Sequence, residues 1–347
     1  MTYDKLKFQD TIKNIRNTSL FGFAQTTRAN LNFYITHPMS IIARKRYFDA
    51  ARLELKNIAR DTFFIIAIPG SLHLVELCLK FVPPHVKIAI ISNGLSDFEN
   101  EWMKKNLRFE QMISLPSVFL HGDVIDLLVK NVEYPFGILD YDCFVFRPEL
   151  FNEALNIDKK DQLNAFFYTA NQSLNLEIPS TFFLYINAPV YRELISKYGI
   201  NCTHYAYFQL PQKAREKLRT MGIDGKHRPE SFKNYFDTLQ ALMMIGVAEG
   251  YSINFKRKFP SRFTPSDEIF HVGGVSDPNS HKHLWGVRGS YLWRFALEHH
   301  RDDQLRNYYE KTYGVKSPDD VLNTFPNSRR KIGDDFFKFV EDLIKYN

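Results

Sequence analysis

Two aspartates interrupt an otherwise apolar stretch, FGILDYDCFVF, at residues 136–146. Asp140 and Asp142 stand two apart, and in an extended chain side chains at i and i+2 point the same way, so both carboxylates aim at one place while Tyr141 faces the opposite side. A buried carboxylate without a partner costs several kcal/mol or takes up a proton, so two of them together require a counter-charge. Pairing with Arg147 or capping of a turn would give a structural reason for them. A divalent cation would give a chemical one, because carboxylate oxygens are hard ligands.

Other residues with chemical potential are scattered. His271 lies in FHVGG (270–274), and SHKHLWG (280–286) holds two more histidines around Lys282. Histidines alone would suggest zinc, but no cysteine stands near to support it. Cys78, Cys143 and Cys202 have no metal-type spacing and predict neither a zinc centre nor a disulfide framework, which fits a reducing compartment. Lys256, Arg257 and Lys258, or Lys282 and Arg288, are the cations available to neutralise a diphosphate.

The elements that must position these groups follow from periodicity. TFFIIAI (62–68) and VKIAIIS (86–92) are short continuous apolar runs, closed by Pro69–Gly70 and Asn93–Gly94, and each is followed by a stretch of helical spacing. QMISL, then GDVIDLLVKNV, then FGILDYDCFVF continue the rhythm. Strand and helix alternate four times, which predicts an α/β fold with a mostly parallel central sheet, and the unbroken apolar runs predict strands covered on both faces. Ligands of such sheets bind beyond the carboxyl ends of the strands, so the loops after Ile68 and Ser92 and the segment at Asp140 should share one edge. No turn matches G-x-G-x-x-G or the P-loop pattern, which excludes those two nucleotide sites.

Outside this segment the pattern changes. Residues 1–59 read as a helical N-terminal layer, 60–150 as a half of alternating strands and helices, 151–300 as an α+β half and 301–347 as a helical C-terminal segment. SFKNYFDTLQALMMIGVAEG (231–250) has the spacing of one long amphipathic helix. The chain of 347 residues is 44% hydrophobic, with 31 Phe and 18 Tyr, enough for a large core. A net charge of +6 and a pI near 9.0 suit anionic partners. No run reaches the roughly 18 apolar residues needed to span a bilayer, and the first thirty residues hold no secretory signal, so a cytoplasmic location is expected, with peripheral membrane contact as a further option.

With a parallel sheet, an Asp-x-Asp at its fourth strand and a late histidine, the chain resembles the GT-A fold glycosyltransferases. LDYDCFVF (139–146) matches their Asp-x-Asp motif, TFFLYIN (181–187) the acceptor-side strand after it, YFDTLQAL (235–242) the helix with an acidic residue, and His271 the histidine that completes the metal site in many members. The resemblance spans residues 60–290 and implies a single GT-A-like domain, with 60–150 as its nucleotide-sugar-binding half and 151–300 as its acceptor-side half. It implies a nucleoside-diphosphate sugar donor, a glycan, lipid-linked or protein acceptor, and no nucleic-acid partner. A Mn²⁺ or Mg²⁺ ion would be held by Asp142 directly, by Asp140 as a metal or ribose contact, and by His271, and would neutralise the departing diphosphate. Pro69, Gly70 and Asn93 would line the nucleobase and ribose, Lys282 would meet the diphosphate, and Asp237 would be the base that deprotonates the acceptor. SHKHLWG departs from the Lys-Pro-Trp ending of some retaining families.

Two other readings compete. In haloacid-dehalogenase-like phosphatases an Asp-x-Asp also ends a strand, the first Asp as nucleophile, and KIGDDFFKFVED (331–342) mimics their acidic metal motif. Against this, Cys143 and Phe144 replace the expected small residue and Thr, and no strand precedes Gly333. A transferase fold retained as an inactive binding scaffold is the remaining option.

Overall fold

Runs of Phe and Ile with no polar interruption cannot turn one face to water, and they fold here as strands buried on both sides. The computed structural model describes residues 34–166, 177–224, 236–257, 267–273, 284–314, 317–323 and 334–345, with isolated positions 24, 27, 28, 31 and 275. Strand β1 (Thr62–Ala67) is buried at every position and β2 (Lys87–Asn93) at all but its first. β3 (Gln111–Leu115) exposes Ser114, as suits a strand at the end of the sheet. With β4 (Phe136–Leu139), and after β5 (Cys143–Val145), the strands β6 (Asp161–Ala165), β7 (Phe183–Ile186) and β8 (Ser252–Phe255) complete a seven-stranded sheet ordered β3-β2-β1-β4-β7-β6-β8. β1 pairs parallel with β2 (Thr62 opposite Lys87), and β2 with β3 (Ala89 opposite Gln111). β6 runs antiparallel to β7 and parallel to β8. The sheet is mostly parallel with flanking helices, so the α/β class read from the alternation holds.

The chain divides into two compact units, and each is built from discontinuous segments. The first comprises residues 1–61, 117–137 and 154–258. Its helices Arg44–Leu55, His121–Asn131, Ala188–Tyr198 and Gln240–Ala248 surround a core that contains the fully buried Gln162. Gln162 Nε2 donates to Met243 O at 3.1 Å and Oε1 accepts from Tyr191 OH at 3.2 Å, so the amide is satisfied. Gly122 is required by a close approach: a Cβ there would lie 2.7 Å from the Thr203 Cα.

The second unit comprises residues 62–116, 138–153 and 259–347. Helix Asp97–Asn106 starts from a capping box in which Ser96 and Glu99 satisfy each other's backbone N–H. Helix Leu72–Lys80 packs its leucines into this core, and helices Leu284–Glu298, Asp303–Tyr313 and Asp334–Lys345 add aromatic residues to it. Among the described residues no helix is long and apolar enough to cross a membrane.

Two elements differ from the sequence pattern. The stretch 136–146 is two strands, β4 and β5, separated by a turn at residues 140–142. The long helix read at 231–250 starts only at Gln240; Phe236 instead forms an isolated antiparallel bridge with Tyr205, and Leu239 sits at φ 66° at the helix entry. A leucine in the left-handed region is strained, and helical propensity yields there to the tertiary pairing.

Candidate functional site

The turn at the end of β4 builds the site. Cys143 N–H donates back to Asp140 O at 3.0 Å, closing a tight turn that keeps both aspartates out of the ladder. The chain then resumes as β5, which pairs antiparallel with β9 (Ile269–His271), placing His271 opposite Cys143. Two backbone N–H groups of the returning strand hold Asp142: Val272 donates to its carbonyl at 3.1 Å and Gly273 to Oδ2 at 3.0 Å. His271 Nε2 then lies 3.3 Å from Asp142 Oδ1 and 3.9 Å from Asp140 Oδ2. The convergence expected from an extended i/i+2 pair is produced by a turn and a two-stranded ribbon.

One ligand atom from each of Asp140, Asp142 and His271 lies within 4.8 Å of the others, and among the described residues this is the single such group of three. Atoms sharing a coordination sphere of about 2.2 Å radius are at most about 4.4 Å apart, so a divalent cation needs only a slight closing of this group. Two carboxylate oxygens and one imidazole nitrogen are ligands that could hold a divalent cation. Asp142 is buried, whereas the Asp140 side chain is 26% exposed, which leaves one side of the group open.

The support behind the turn is rigid and apolar. Cys78, on helix Leu72–Lys80, donates its thiol to Cys143 O at 3.4 Å. Burial, then the Asp142 and Asp140 charges, push that thiol well above its ordinary range, and burial does the same to Cys143. The Tyr141 hydroxyl is likewise held neutral by burial and by both aspartates. Phe81 packs edge-on against Phe144 and Phe146, with centroids 5.8 and 5.2 Å apart.

The other residues singled out in the sequence have different surroundings. Pro69 is half-buried, and Gly70, at φ 83°, donates its N–H to Glu99 Oε1 at 2.7 Å while its carbonyl accepts from Trp293 Nε1 at 2.7 Å. A Cβ on Gly70 would stand 2.9 Å from the Tyr313 ring, so aromatic packing fills the space above it. Asn93 is buried at the end of β2. Asp237 belongs to the first unit and is exposed in the loop before helix Gln240–Ala248, accepting from Thr238 N–H at 2.8 Å. Arg288 is buried, with its guanidinium 4.6 Å from the Phe336 ring centroid, while Lys256 donates to Asn156 O at 2.6 Å. Lys282 and Lys258 lie outside the described residues. The sequence reading omitted Glu99, whose signal was the S-x-x-E spacing from Ser96, and took Cys78 only as a cysteine without metal-type spacing, since its apolar helix carries no sign of the contact with the turn.

Comparison with known proteins bears on this site. Residues 44–191, which include Asp140 and Asp142, match the family described as the StrH glycosyltransferase N-terminal domain. Over 97 residues, 28% of the chain, the sequence is 29% identical to the dTDP-dihydrostreptose–streptidine-6-phosphate dihydrostreptosyltransferase of Streptomyces griseus, and the aligned part is 25% of that protein's length. Among solved structures, the glycosyltransferase GlyE of Streptococcus pneumoniae TIGR4 aligns with a TM-score of 0.36 and 12% identity over 77% of this chain and 63% of that one. By family model and by relative the chain is glycosyltransferase-like, and this favours transferase chemistry over the phosphatase reading.

Proposed function

We propose that the chain transfers a sugar from a nucleoside-diphosphate sugar to an acceptor hydroxyl, and that Asp140, Asp142 and His271 hold a Mn²⁺ or Mg²⁺ ion against the donor diphosphate. The observation that carries this reading is the convergence of two carboxylates and an imidazole on one open-sided point, inside a chain that is glycosyltransferase-like. The relative's name describes a dTDP-sugar donor, which supports a nucleoside-diphosphate donor class here.

The bound ion would supply a Lewis acid that offsets the charge developing on the departing diphosphate. The chain's own contribution is preorganisation. Gly273 N–H fixes one oxygen of Asp142, which leaves Oδ1 to face His271, and the β5/β9 ribbon sets the imidazole opposite the turn. Asp140, on the open side, would meet either the ion or a ribose hydroxyl. The buried, neutral Cys78 and Cys143 exclude water from the rear of the turn without adding charge, and the half-buried Tyr141 is neutral as well. Asp237 is assigned the acceptor-side base on the resemblance.

The test is calorimetric titration of the full chain with a nucleoside diphosphate, with Mn²⁺ and with a chelator. Binding that needs Mn²⁺ and is lost in His271→Ala supports the proposal. Binding that is indifferent to the metal, or equal in the variant, removes the histidine and the ion from it.

A further inference from the structure

One turn of helix in the first unit is packed inside out. In Met39–Ile42 the serine is buried and the three apolar residues face solvent. Ser40 donates its hydroxyl to Val118 O and lies 3.2 Å from Ser117 Oγ, which fixes that side of the turn against the protein. Side chains step by about 100° per residue around a helix, so an inward Ser40 sends Ile42 to the far side and Met39 and Ile41 to the flanks. Ile42 is 76% exposed, Ile41 60% and Met39 45%. Leu31 and Ile35 are also more than half exposed, so five of the seven exposed large hydrophobic residues among the described ones fall between positions 31 and 42. Single apolar residues on a surface need no explanation, but such a concentration marks an interaction site.

The charge beside the patch says what it fits. Helix Arg44–Leu55 buries Ala51 and Leu55, sets Phe48 against Phe119 with ring centroids 4.8 Å apart, and ties Arg44 to the buried Asp123 at 2.7 Å. That inward face leaves Lys45 and Arg46 exposed directly after the apolar turn, and neither has an ion pair among the described residues. Arg28 is exposed as well. The sequence carries the same sign, for residues 11–48 hold six Lys and Arg and no Asp or Glu.

Aliphatic side chains bordered by unpaired cations complement a bilayer with anionic headgroups: the apolar groups enter the acyl boundary while the cations meet phosphate. A second copy of the chain is a poorer occupant, because a two-fold pairing through this face would bring one copy's Lys45 and Arg46 towards the same cations of the other. No helix among the described residues is long and apolar enough to cross a membrane, so the contact this face offers is with the bilayer surface.

We propose that this face docks the chain on an anionic phospholipid bilayer, with Met39, Ile41 and Ile42 inserted at the headgroup boundary and Lys45 and Arg46 against lipid phosphates. The docking is independent of the proposed transfer reaction, since these residues belong to the first unit and Asp140, Asp142 and His271 to the second. The test is flotation of the full chain with vesicles of phosphatidylglycerol and phosphatidylcholine in equal parts, against vesicles of phosphatidylcholine alone. Wild type should bind the anionic vesicles at least about tenfold better than the neutral ones, and lose most of that binding in about 0.5 M salt. Ile41→Ser with Ile42→Ser, and Lys45→Gln with Arg46→Gln, all at exposed positions, should keep the wild-type melting temperature and each bind at least about tenfold more weakly. Wild type that stays unbound with anionic vesicles, or folded variants that float as well as wild type, would overturn the site. So would light scattering that finds a wild-type dimer dissolved by the isoleucine changes, because the face would then be covered by a second copy.

Discussion

Replacing Asp142 by Asn separates stability from metal binding at the turn. Asp140 and Asp142 present ligand oxygens no more than 4.8 Å apart, and at that distance two unit charges in an effective dielectric of about 20 repel by about 3.5 kcal/mol. Exposure of Asp140 screens part of this, leaving roughly 1–3 kcal/mol to be relieved on neutralising its neighbour. The opposing loss is small, because an Asn oxygen still accepts from Gly273 N–H and gives up only the excess of a charged over a neutral hydrogen bond, about 1 kcal/mol. For a chain of 347 residues each kcal/mol moves Tm by roughly 1.4 °C, so the metal-free variant should melt between about 0 and 3 °C above wild type. Mn²⁺ at a hundredfold excess over its Kd should raise wild type by about 2.7 kcal/mol, close to 4 °C, and the variant by less than about 1 °C. Melting curves across a Mn²⁺ titration read both quantities. A variant that melts more than about 5 °C low, or that keeps the full Mn²⁺ response, would show that the carboxylate is structural and refute the reasoning.

Three further outcomes follow from other parts of the molecule. Gly122→Ala drives a Cβ to 2.7 Å from the Thr203 Cα and 2.9 Å from the Cys202 carbonyl, both backbone, so chemical denaturation should find the variant destabilised by roughly 1–3 kcal/mol. The three free thiols are all buried and pushed up by burial, so native protein at pH 8 should leave a chromogenic disulfide reagent unreacted while guanidinium-unfolded protein consumes three equivalents. Glu249 accepts hydrogen bonds from Lys197, Lys217 and Tyr198, which hold its carboxyl down from 4.5 to about 2. A depressed acid stabilises the fold above its unfolded pKa, so the stability difference between wild type and Glu249→Gln, measured by denaturation, should be full at pH 6 and close as pH falls from about 4.5 to about 2.

The sheet was legible because buried strands leave an unambiguous trace: TFFIIA and the run through β2 carry polar residues only at their ends and none inside to suggest any other packing. The turn at 140–142 was not, since Leu139 and Cys143 flank it with apolar residues and nothing local marks a break; the hydrogen bond from Cys143 N–H to Asp140 O closes it. The pairing of β5 with β9, strands of three residues more than a hundred positions apart, cannot be found by periodicity, although EIFHVGG reads as a short strand and His271 was picked out by its type. The same limit explains the helix at Gln240: its amphipathic spacing continues upstream, but Phe236 pairs with Tyr205 instead. The packing of Tyr313 over Gly70 is tertiary as well, and a Pro-Gly turn carries no sign of it.

The central claim is tested most directly by release of nucleoside diphosphate. The full chain, with Mn²⁺, is given a panel of nucleoside-diphosphate sugars, and the liberated diphosphate is quantified for wild type, Asp142→Asn and His271→Ala. Sugar transfer or donor hydrolysis should appear for at least one donor, require the metal, and fall by at least about a hundredfold in Asp142→Asn, the loss expected when several kcal/mol of Lewis-acid stabilisation are removed. Release that proceeds equally with a chelator, or at the wild-type rate in Asp142→Asn, would contradict the account.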